Sequence, residues 1–442
     1  MRLQLSIPQE KTIKKSIQIT GSKSETNRSL LLQALFPNLK IQNLSNSDDG
    51  EVMQQGLKKT TGEVDIHHAG TAMRFLTGYF ASQEGKEVVL TGSQRMQERP
   101  IKILVEALRE LGADIQYVKN EGYPPIKITG KKLVKNKVSL PANISSQYIS
   151  SLLLIAPSLE NGLELELVGK ITSVPYIKMT LALLEQIGVQ TSFEGNHIKV
   201  SPKDAVEDTT LVVESDWSSA SYFYSIVALC NVGTEIQLSS YKKDSLQGDS
   251  VLAKIYTDFG VETTFSENTI TLTKVSDDIP SHLEYDLSNA PDIAQTISVT
   301  CLGLGIGCHL TGLHTLPIKE TDRLGALKTE LAKLGAKVGI DSESLTLQPT
   351  QSITPDVAID TYNDHRMAMA FAPLALRTNI MINDAGVVSK SYPDFWKDLT
   401  ALKKCNSYLI IKLLDIPYRE VVYLPSLKKI KISLHEIIKL QL

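Results

Sequence analysis

The chain repeats one pattern of apolar and glycine residues about every 75 positions. In this pattern an amphipathic stretch ends in a glycine, and a short run of alternating apolar and polar residues follows; the glycines are Gly112, Gly188, Gly260 and Gly335. A glycine at that place is the usual C-terminal cap of a helix, and the alternation is typical of a strand. The repeat therefore predicts an α/β protein built from about six copies of one unit.

A second series with a similar spacing marks where helices begin. Short stretches with polar or charged residues precede apolar runs; these stretches begin at Ser24, Thr71, Ser145, Trp217, Pro291 and Asp364. Ser24 is predicted to be the N-cap of the first of these helices. Free N–H groups and the dipole at a helix start favour an anion, so the recurrence of such starts indicates an anion-binding site more strongly than one loop could.

Lysine and arginine concentrate at these loop-to-helix junctions. The eight cations are Lys23, Arg28, Arg74, Arg99, Lys319, Arg323, Arg366 and Lys390. Taken singly, a basic helix start is most often a solvated face, and a carboxylate such as Asp292 in a first turn most often only stabilises the helix dipole. If the junctions converge in the folded chain, the ligand must carry several negative charges.

Composition narrows the class of protein. The 442 residues carry a formal net charge of −3, which gives no electrostatic reason to expect nucleic-acid binding. No run reaches about 18 uninterrupted apolar residues and the first residues lack a signal-peptide pattern, so we expect a cytoplasmic protein that does not bind a membrane. The cysteines lack C-x-x-C spacing, which predicts buried thiols rather than a zinc site or disulfides; they are Cys230, Cys301, Cys308 and Cys405.

Nine motifs, taken in order, are similar to the signature series of the 5-enolpyruvylshikimate-3-phosphate synthase family. They are Gly21–Ser24, Ala69–Arg74, Ser145–Gln147, Ser218–Tyr222, Gln247–Asp249, Pro291–Asp292, Lys319–Leu324, Asp364–Met369 and Lys390–Phe395. The similarity covers residues 1 to about 402. It implies an inside-out α/β barrel of two domains, each made of three β-α-β-α-β-β units, which close over a cleft.

The resemblance also implies that the chain passes twice between the two domains. Residues 21–213 would form the domain on the shikimate-phosphate side, and residues 1–20 plus 214–402 the second domain, which carries Asp292, Glu320, Arg366 and Lys390. Residues 403–442 continue past the family's usual end with eight Lys or Arg and three acidic residues. We interpret them as an appended basic tail whose role the sequence does not indicate.

For function, the resemblance implies transfer of the enolpyruvyl group of phosphoenolpyruvate to the 5-hydroxyl of shikimate-3-phosphate, a step of the shikimate pathway to the aromatic amino acids. Such a reaction needs clamped anions, an acid and a base, so no metal or cofactor is expected. Shikimate-3-phosphate would bind Lys23, Ser24, Arg28, Ser145, Ser146, Gln147, Ser173, Tyr176, Asp292 and Lys319. Phosphoenolpyruvate would bind Lys23, Gly70, Arg99, Gln147, Arg323, Arg366 and Lys390.

The resemblance implies proton transfer by Lys23, Asp292 and Glu320, and the sequence leaves open which residue serves which step. One alternative is the sister transferase that acts on UDP-N-acetylglucosamine, which uses a cysteine in its first-half domain; no cysteine here precedes Cys230. Another is a catalytically inactive anion-binding member, against which the three proton-transfer candidates and Arg366 argue because all are present. We expect a monomeric enzyme whose partners are its two small-molecule substrates.

Three positions depart from the family pattern near the expected site. His68 and Thr315 stand where asparagine is common, and Phe75 stands where proline is frequent. None of these changes removes a charge, so we expect the anion clamp to be kept. The resemblance further implies sensitivity to glyphosate, an anionic competitor of phosphoenolpyruvate, with Gly70 allowing close approach of the backbone.

Overall fold

In the computed structural model, residues 1–6, 12–142, 145–169, 171, 174–402 and 410–413 are described. The strands of the first half are β1 (Leu3–Ser6), β2 (Lys14–Ile17), β3 (Lys40–Gln42), β4 (Thr61–Asp65), β5 (Glu87–Thr91), β6 (Asp114–Tyr117), β7 (Ile126–Thr129), β8 (Lys137–Pro141), β9 (Leu163–Val168), β10 (Thr191–Glu194), β11 (His197–Val200) and β12 (Thr210–Val212). The later strands are β13 (Glu235–Ser239), β14 (Val261–Ser266), β15 (Thr269–Lys274), β16 (His282–Asp286), β17 (Gly307–Thr311), β18 (Val338–Ile340), β19 (Leu345–Leu347), β20 (Val357–Ile359), β21 (Ile380–Ile382) and β22 (Ile410–Leu413).

The helices of the same residues are α1 (Lys23–Leu35), α2 (Asp48–Leu57), α3 (Gly70–Ser82), α4 (Gln94–Gln97), α5 (Lys102–Leu111), α6 (Ser146–Ile155), α7 (Val174–Gln186), α8 (Trp217–Leu229), α9 (Leu252–Ile255), α10 (Ala294–Leu304), α11 (Arg323–Lys333), α12 (His365–Phe371) and α13 (Phe395–Ala401). Short 3₁₀ turns lie at Ala156–Ser158, Gly248–Val251, Tyr256–Phe259, Pro291–Ile293, Leu316–Ile318, Ala372–Leu376 and Ala385–Lys390.

The sheets repeat one arrangement. Within the described residues, five sheets each contain a parallel pair of strands followed by an antiparallel pair; their strand orders are β4-β5-β7-β6, β8-β9-β11-β10, β2-β13-β15-β14, β16-β17-β19-β18 and β20-β21-β1-β22. The antiparallel pair is a hairpin in the first four sheets, whereas β1 and β22 come from opposite ends of the chain. Strands β3 and β12 form a sixth, parallel pair. The predicted sixfold repeat is therefore confirmed, with one unit reduced to two strands in this part of the chain.

Glycines follow the helices where the repeat predicts them. Gly112, Gly188, Gly260 and Gly335 have φ angles of 111°, 78°, 71° and 94°, which lie in the left-handed region that residues with a Cβ rarely adopt. Helices α3, α6, α8 and α12 also begin within one residue of their predicted starts.

Two separate hydrophobic cores divide the chain into two lobes. One core is drawn from residues 30–211, and the other from residues 3–19 and 217–402. We call residues 21–213 the continuous lobe and residues 1–20 with 214–402 the discontinuous lobe. Helix α3 in the first and α8 in the second are buried along almost their whole length, as expected for helices that are apolar on all sides. The two cores support the domain division that we propose from the sequence.

The chain crosses between the lobes at two adjacent points. The amide of Ser22 donates a hydrogen bond to the carbonyl of Glu214 at 2.7 Å, and Gly21 forms a β-bridge with Ser215. A Cβ on Gly21 would lie 1.8 Å from the carbonyl oxygen of Asn43, so only glycine fits at this crossing.

The predicted N-cap at Ser24 is wrong. Helix α1 begins at Lys23, and the first helical hydrogen bond runs from the amide of Thr26 to the carbonyl of Ser22 at 2.9 Å. Ser24 therefore lies inside the first turn. Because Ser22 is held by pairing with the second crossing strand, the helix starts earlier than the local pattern indicates.

A buried carboxyl group stands beside this crossing. Glu25, in the first turn of α1, accepts a hydrogen bond from the amide of Glu214 at 3.1 Å. Burial raises the pKa of the Glu25 carboxyl to about 7, against the opposing attraction of Lys242. Its ionisation is therefore less favourable in the folded protein than in the unfolded chain.

Glu25→Gln is expected to stabilise the protein at alkaline pH. Because folding raises this pKa, ionisation of Glu25 lowers the free energy of unfolding. None of that free energy is lost below about pH 4.5, and the loss grows as the pH rises through about 7. The amide keeps an acceptor for the backbone and removes the charge, so the Tm of the variant should exceed that of the wild type near pH 8 and nearly match it near pH 5. Thermal unfolding at both pH values measures this, with exposed Glu51→Gln as control; a Tm difference independent of pH would contradict it.

Part of the C-terminal segment belongs to a sheet. Strand β22 pairs antiparallel with β1, from Ser6 opposite Ile410 to Leu3 opposite Leu413. The remainder of the segment that we interpret as a tail, 403–409 and 414–442, lies outside the described residues. At least four residues of the segment thus complete a sheet of the discontinuous lobe.

Cys230, Cys301 and Cys308 are buried, as predicted, and Cys405 lies outside the described residues. Among the described helices, none is both long and apolar enough to cross a membrane. In the same part of the chain, no group of three or more His, Cys, Asp or Glu side chains is arranged to hold a metal ion.

Candidate active site

A cavity of about 360 Å³ lies between the lobes, and helix starts from both lobes line it. We call it the main cavity. Seven of the eight cations noted in the sequence line it: Lys23, Arg28, Arg74, Arg99, Lys319, Arg323 and Arg366. The loop-to-helix junctions therefore converge, and this concentration of positive charge favours a ligand with several negative charges.

The start of α6 supplies neutral hydrogen-bonding groups. Ser145 caps the helix by accepting a hydrogen bond from the amide of Gln147 at 3.4 Å, and Ser146 lies in its first turn. The side-chain amide of Gln147 donates to the hydroxyl of Thr71 at 3.2 Å, which ties α6 to the start of α3. The hydroxyls and free amides of this helix start face the same space as the cations.

The first turn of α1 brings Lys23 and Ser24 to the main cavity. The ammonium of Lys23 lies 3.4 Å from a carboxylate oxygen of Asp49. Burial raises the pKa of the Asp49 carboxyl, and Lys23 opposes that shift. Tyr176 also lines the cavity, whereas Ser173 lies outside the described residues.

Arg28 is buried, and its donors are already engaged. It donates to the carbonyl of Ser24 at 2.7 Å, to Thr180 at 2.8 Å and to Ser150 at 2.9 Å. Its Cζ also lies 5.3 Å from the ring centre of Phe75, a cation–π contact. Arg28 therefore supports the start of α1, and the departure at Phe75 contacts this support rather than the main cavity.

Arg99 is a cation of the site whose guanidinium is available to a ligand. Its guanidinium makes no hydrogen bond or ion pair with another described residue. Burial lowers its pKa to about 10, which still leaves it charged at neutral pH. The group lies over Gly70, where an added Cβ would be 2.6 Å from Nη1 of Arg99. Arg74 holds this corner by donating to the carbonyls of Gly70 at 3.2 Å and Pro100 at 3.0 Å.

In the discontinuous lobe, three carboxylates surround the buried guanidinium of Arg323. It donates to Asp292 at 2.8 Å, to Glu320 at 2.7 Å and to Asp364 at 2.6 Å. Burial alone would lower the pKa of Arg323, but the three carboxylates raise it. Arg323 therefore fixes Asp292 and Glu320 at the cavity wall and has few donors left for a ligand.

Asp292 lies among three cations. Besides its bond to Arg323, it pairs with Lys319 at 3.4 Å and with Arg366 at 3.3 Å. Burial acts to raise the pKa of this carboxyl, but Lys319, Arg366 and Arg323 together hold it far below its usual range. Asp292 is therefore ionised at neutral pH.

Glu320 lines the same cavity and is also held ionised. Burial acts to raise its pKa, but Arg323 and Arg99 hold it well below its usual range. Two ionised carboxylates, Asp292 and Glu320, thus stand at the cavity wall as proton acceptors.

Lys390, the eighth cation, lines a second cavity of about 440 Å³ rather than the main one. Its ammonium donates to the carbonyl of Asn363 at 2.6 Å. Arg99 and Glu320 line both cavities, and we call this pair the partition. A phosphoenolpyruvate molecule bound by both Lys390 and Arg366 would have to extend to the partition. Joint binding of this substrate by the two residues therefore stays a prediction.

Three buried aspartate or histidine residues of the main cavity received no role from the sequence: Asp49, Asp249 and His365. Asp249 accepts a hydrogen bond from the hydroxyl of Ser218, and burial raises its pKa to about 6. Neither ring nitrogen of His365 has a hydrogen-bond partner among the described residues, and burial lowers its pKa well below the usual range. Asp249 and His365 lie within two of the motifs that carry the resemblance, Gln247–Asp249 and Asp364–Met369, and Asp49 lies in the first turn of α2. Their burial, which distinguishes them, has no local signal in the sequence.

Comparisons with known proteins agree with this geometry. The family model described as EPSP synthase (3-phosphoshikimate 1-carboxyvinyltransferase) matches residues 57–399. A 3-phosphoshikimate 1-carboxyvinyltransferase of Bacteroides fragilis is 46% identical over 404 residues, which cover 90% of this chain and 97% of that relative. The protein of the same name from Haemophilus influenzae is 36% identical over 422 residues, covering 87% of this chain and 95% of the relative.

Solved structures share the fold. The EPSP synthase of Acinetobacter baumannii matches with a TM-score of 0.75 at 21% identity, covering 93% of this chain and 99% of that one. The enolpyruvyl transferase NikO of Streptomyces tendae matches with a TM-score of 0.70 at 12% identity, covering 91% and 97%. The predicted inside-out α/β fold is thereby confirmed. The chain belongs to the EPSP synthase (3-phosphoshikimate 1-carboxyvinyltransferase) family.

Proposed function

We propose that this chain transfers the enolpyruvyl group of phosphoenolpyruvate to the 5-hydroxyl of shikimate-3-phosphate and releases phosphate. The observation that carries the proposal is the main cavity, where seven cations and two ionised carboxylates face one space. Both substrates are anionic phosphate esters, and their reaction requires proton transfer. Family membership and the names of the relatives support the same activity.

Shikimate-3-phosphate would bind on the side formed by α1 and α6. The hydroxyls of Ser145 and Ser146, with the free amides of their helix start, suit a phosphate ester. Lys23 and Ser24 lie beside them, and Arg28 supports this wall through the carbonyl of Ser24. The other proposed ligands of this substrate that the structure describes also line the cavity: Gln147 and Tyr176 in the same lobe, and Asp292 and Lys319 in the discontinuous lobe.

Phosphoenolpyruvate would bind nearer the partition. Arg99 is the cation with free donors, and the absence of a side chain at Gly70 lets its guanidinium lie directly over that residue. Nε of Arg366 also lacks a hydrogen-bond partner within the described chain. Arg323 would add charge and hold the carboxylates, and Lys390 would reach the ligand from the second cavity.

The proposed reaction is an addition followed by an elimination. The 5-hydroxyl oxygen bonds to C2 of phosphoenolpyruvate while a base takes its proton and C3 receives one; C3 then loses a proton as the C2–O bond to phosphate breaks. Asp292 and Glu320 are candidates for the accepting role because both are unprotonated at neutral pH, but the cations that lower their pKa also make them weak bases. The ammonium of Lys23 suits the donating role. The geometry supports these roles without separating Asp292 from Glu320.

Phosphate release from phosphoenolpyruvate, measured with and without shikimate-3-phosphate, tests the proposal. We expect release only when both substrates are present, with one enolpyruvyl product formed for each phosphate. Release with UDP-N-acetylglucosamine instead would assign the sister activity, and no release with either acceptor would indicate an inactive anion-binding protein. That the enzyme is a cytoplasmic monomer stays a prediction.

Shikimate-3-phosphate is expected to draw the two lobes together. Hydrogen bonds already join the lobes at the cavity margin, from Ser389 to Asp48 at 2.6 Å and from Asn46 to Asp394 at 2.8 Å. The cations around the main cavity repel one another, and a dianionic ligand relieves that repulsion. Small-angle scattering should give a smaller radius of gyration with shikimate-3-phosphate than with shikimate, which lacks the phosphate. Identical curves for the two would contradict closure.

A further inference from the structure

The second cavity reaches the solvent, and most of the residues that line it carry polar or charged groups. Residues from both lobes line it, including Arg95, whose side chain is 42% exposed, and Tyr362, which is 38% exposed. The titratable and charged side chains that face it are His68, Arg95, Arg99, Lys390, Glu320 and Asp322. A small anion would meet cations from the partition to the outer rim, and the two carboxylates would limit how tightly it is held.

The partition separates the second cavity from the main cavity by only two side chains. Arg99 and Glu320 line both spaces, and the guanidinium of Arg99 has no partner among the described residues. An anion held by Arg99 can therefore be approached from either side.

The two cavities differ in what they could hold. None of the described residues proposed to bind shikimate-3-phosphate lines the second cavity, and Lys390 lines the second cavity but not the main one. A shikimate-derived product held at α1 and α6 would occupy the main cavity and leave the second cavity empty. The phosphate formed beside Arg99 would then have its free path on the other side of the partition.

We propose that the second cavity is the passage through which inorganic phosphate leaves while the enolpyruvyl product still occupies the main cavity. This inference rests on the proposed function. Phosphate would move from Arg99 past Lys390 and His68 to Arg95 at the rim. By microscopic reversibility, phosphate must enter by the same passage when the reaction runs backwards.

The reverse reaction tests the passage directly. Enzyme saturated with the enolpyruvyl product is mixed with inorganic phosphate, and phosphoenolpyruvate formation gives the second-order rate constant for phosphate and the maximal rate. The wild type should use phosphate as fast after saturation with the product as when both are added together. The forward assay is run first, so absence of that activity would refute the proposed function and not the passage alone.

Two kinds of variant probe the passage without replacing either residue of the partition. His68→Trp narrows it and His68→Asn widens it, so the rate constant for phosphate should fall in the first and hold or rise in the second. Arg95→Glu reverses the charge at the rim and should lower the same constant about tenfold or more, because charge in a cleft changes ion association rates by 10–10³. Arg95→Lys keeps the charge, and Lys59→Glu makes the same charge change at an exposed residue lining neither cavity. Both controls should remain within about twofold.

A passage residue has a signature that a merely structural residue lacks. The maximal rate at saturating phosphate should stay within about twofold, and the phosphate dissociation constant should change less than the association rate, because a passage slows movement in both directions. The proposal is overturned if saturation with product prevents phosphate from reacting. It is also overturned if His68→Trp and Arg95→Glu both leave the rate constant for phosphate unchanged.

Discussion

Glu320→Gln is expected to lower kcat by about 10²–10⁴-fold, the usual contribution of a proton-transfer group. The amide keeps the shape of the side chain and an acceptor oxygen for Arg323, which also retains Asp292 and Asp364 as partners. The fold and the KM for both substrates should therefore change little. Steady-state kinetics measures the effect, with exposed Glu343→Gln in the same lobe as control; a kcat within about twofold of the wild type would remove Glu320 from the proton-transfer step.

To test Asp292, a substitution that keeps its hydrogen bonds is needed beside alanine. Asp292→Ala would leave Lys319, Arg323 and Arg366 without their shared carboxylate, so both kcat and KM should suffer. Asp292→Asn keeps hydrogen-bonding oxygen and loses only the charge. A fall in kcat for both variants, with a larger rise in KM for alanine, would separate proton transfer from the positioning of these cations; a kcat within about twofold in Asp292→Ala would exclude Asp292 from the chemistry.

Gly70→Ala is expected to weaken glyphosate binding far more than phosphoenolpyruvate binding. The structure adds a reason to the one offered by the resemblance: the new methyl would lie 2.6 Å from Nη1 of Arg99 and must displace that guanidinium. A misplaced methyl in a packed site costs about 1–3 kcal/mol, and the longer ligand should bear most of it. Because Arg99 would also hold the substrate, the KM for phosphoenolpyruvate should rise as well, by a smaller factor.

The inhibition constant for glyphosate and the KM for phosphoenolpyruvate, measured on the same variants, check this prediction. Gly386→Ala is the matched control because a Cβ there meets nothing within 4 Å. Arg99→Ala should act mainly on the KM for phosphoenolpyruvate, and adding Gly70→Ala to it should raise that KM little further if the methyl acts through Arg99. A wild type that resists millimolar glyphosate would show that the pocket differs from the family's.

Local sequence patterns predicted the repeat and most helix starts of this protein. The left-handed glycines, Gly112 among them, and the starts of α3, α6, α8 and α12 depend on residues only a few positions away, which is why the sequence reveals them. The motifs also predicted which cations meet, because equivalent junctions of a repeated unit occupy equivalent places in the fold. Seven of the eight cations share the main cavity.

What each charged group can do was decided by tertiary contacts. Arg28 and Arg99 look alike in the sequence, yet four oxygen acceptors engage Arg28, whereas Arg99 keeps its donors. Lys390 lies across the partition from Arg366, and Ser22 rather than Ser24 precedes α1. The sequence by itself determined the repeated unit and the charge of the site, because both follow from residue type and short spacing. The tertiary structure decided the burial and the pKa of each group, and the side of the partition on which it lies. These properties depend on packing between residues that are hundreds of positions apart in the chain.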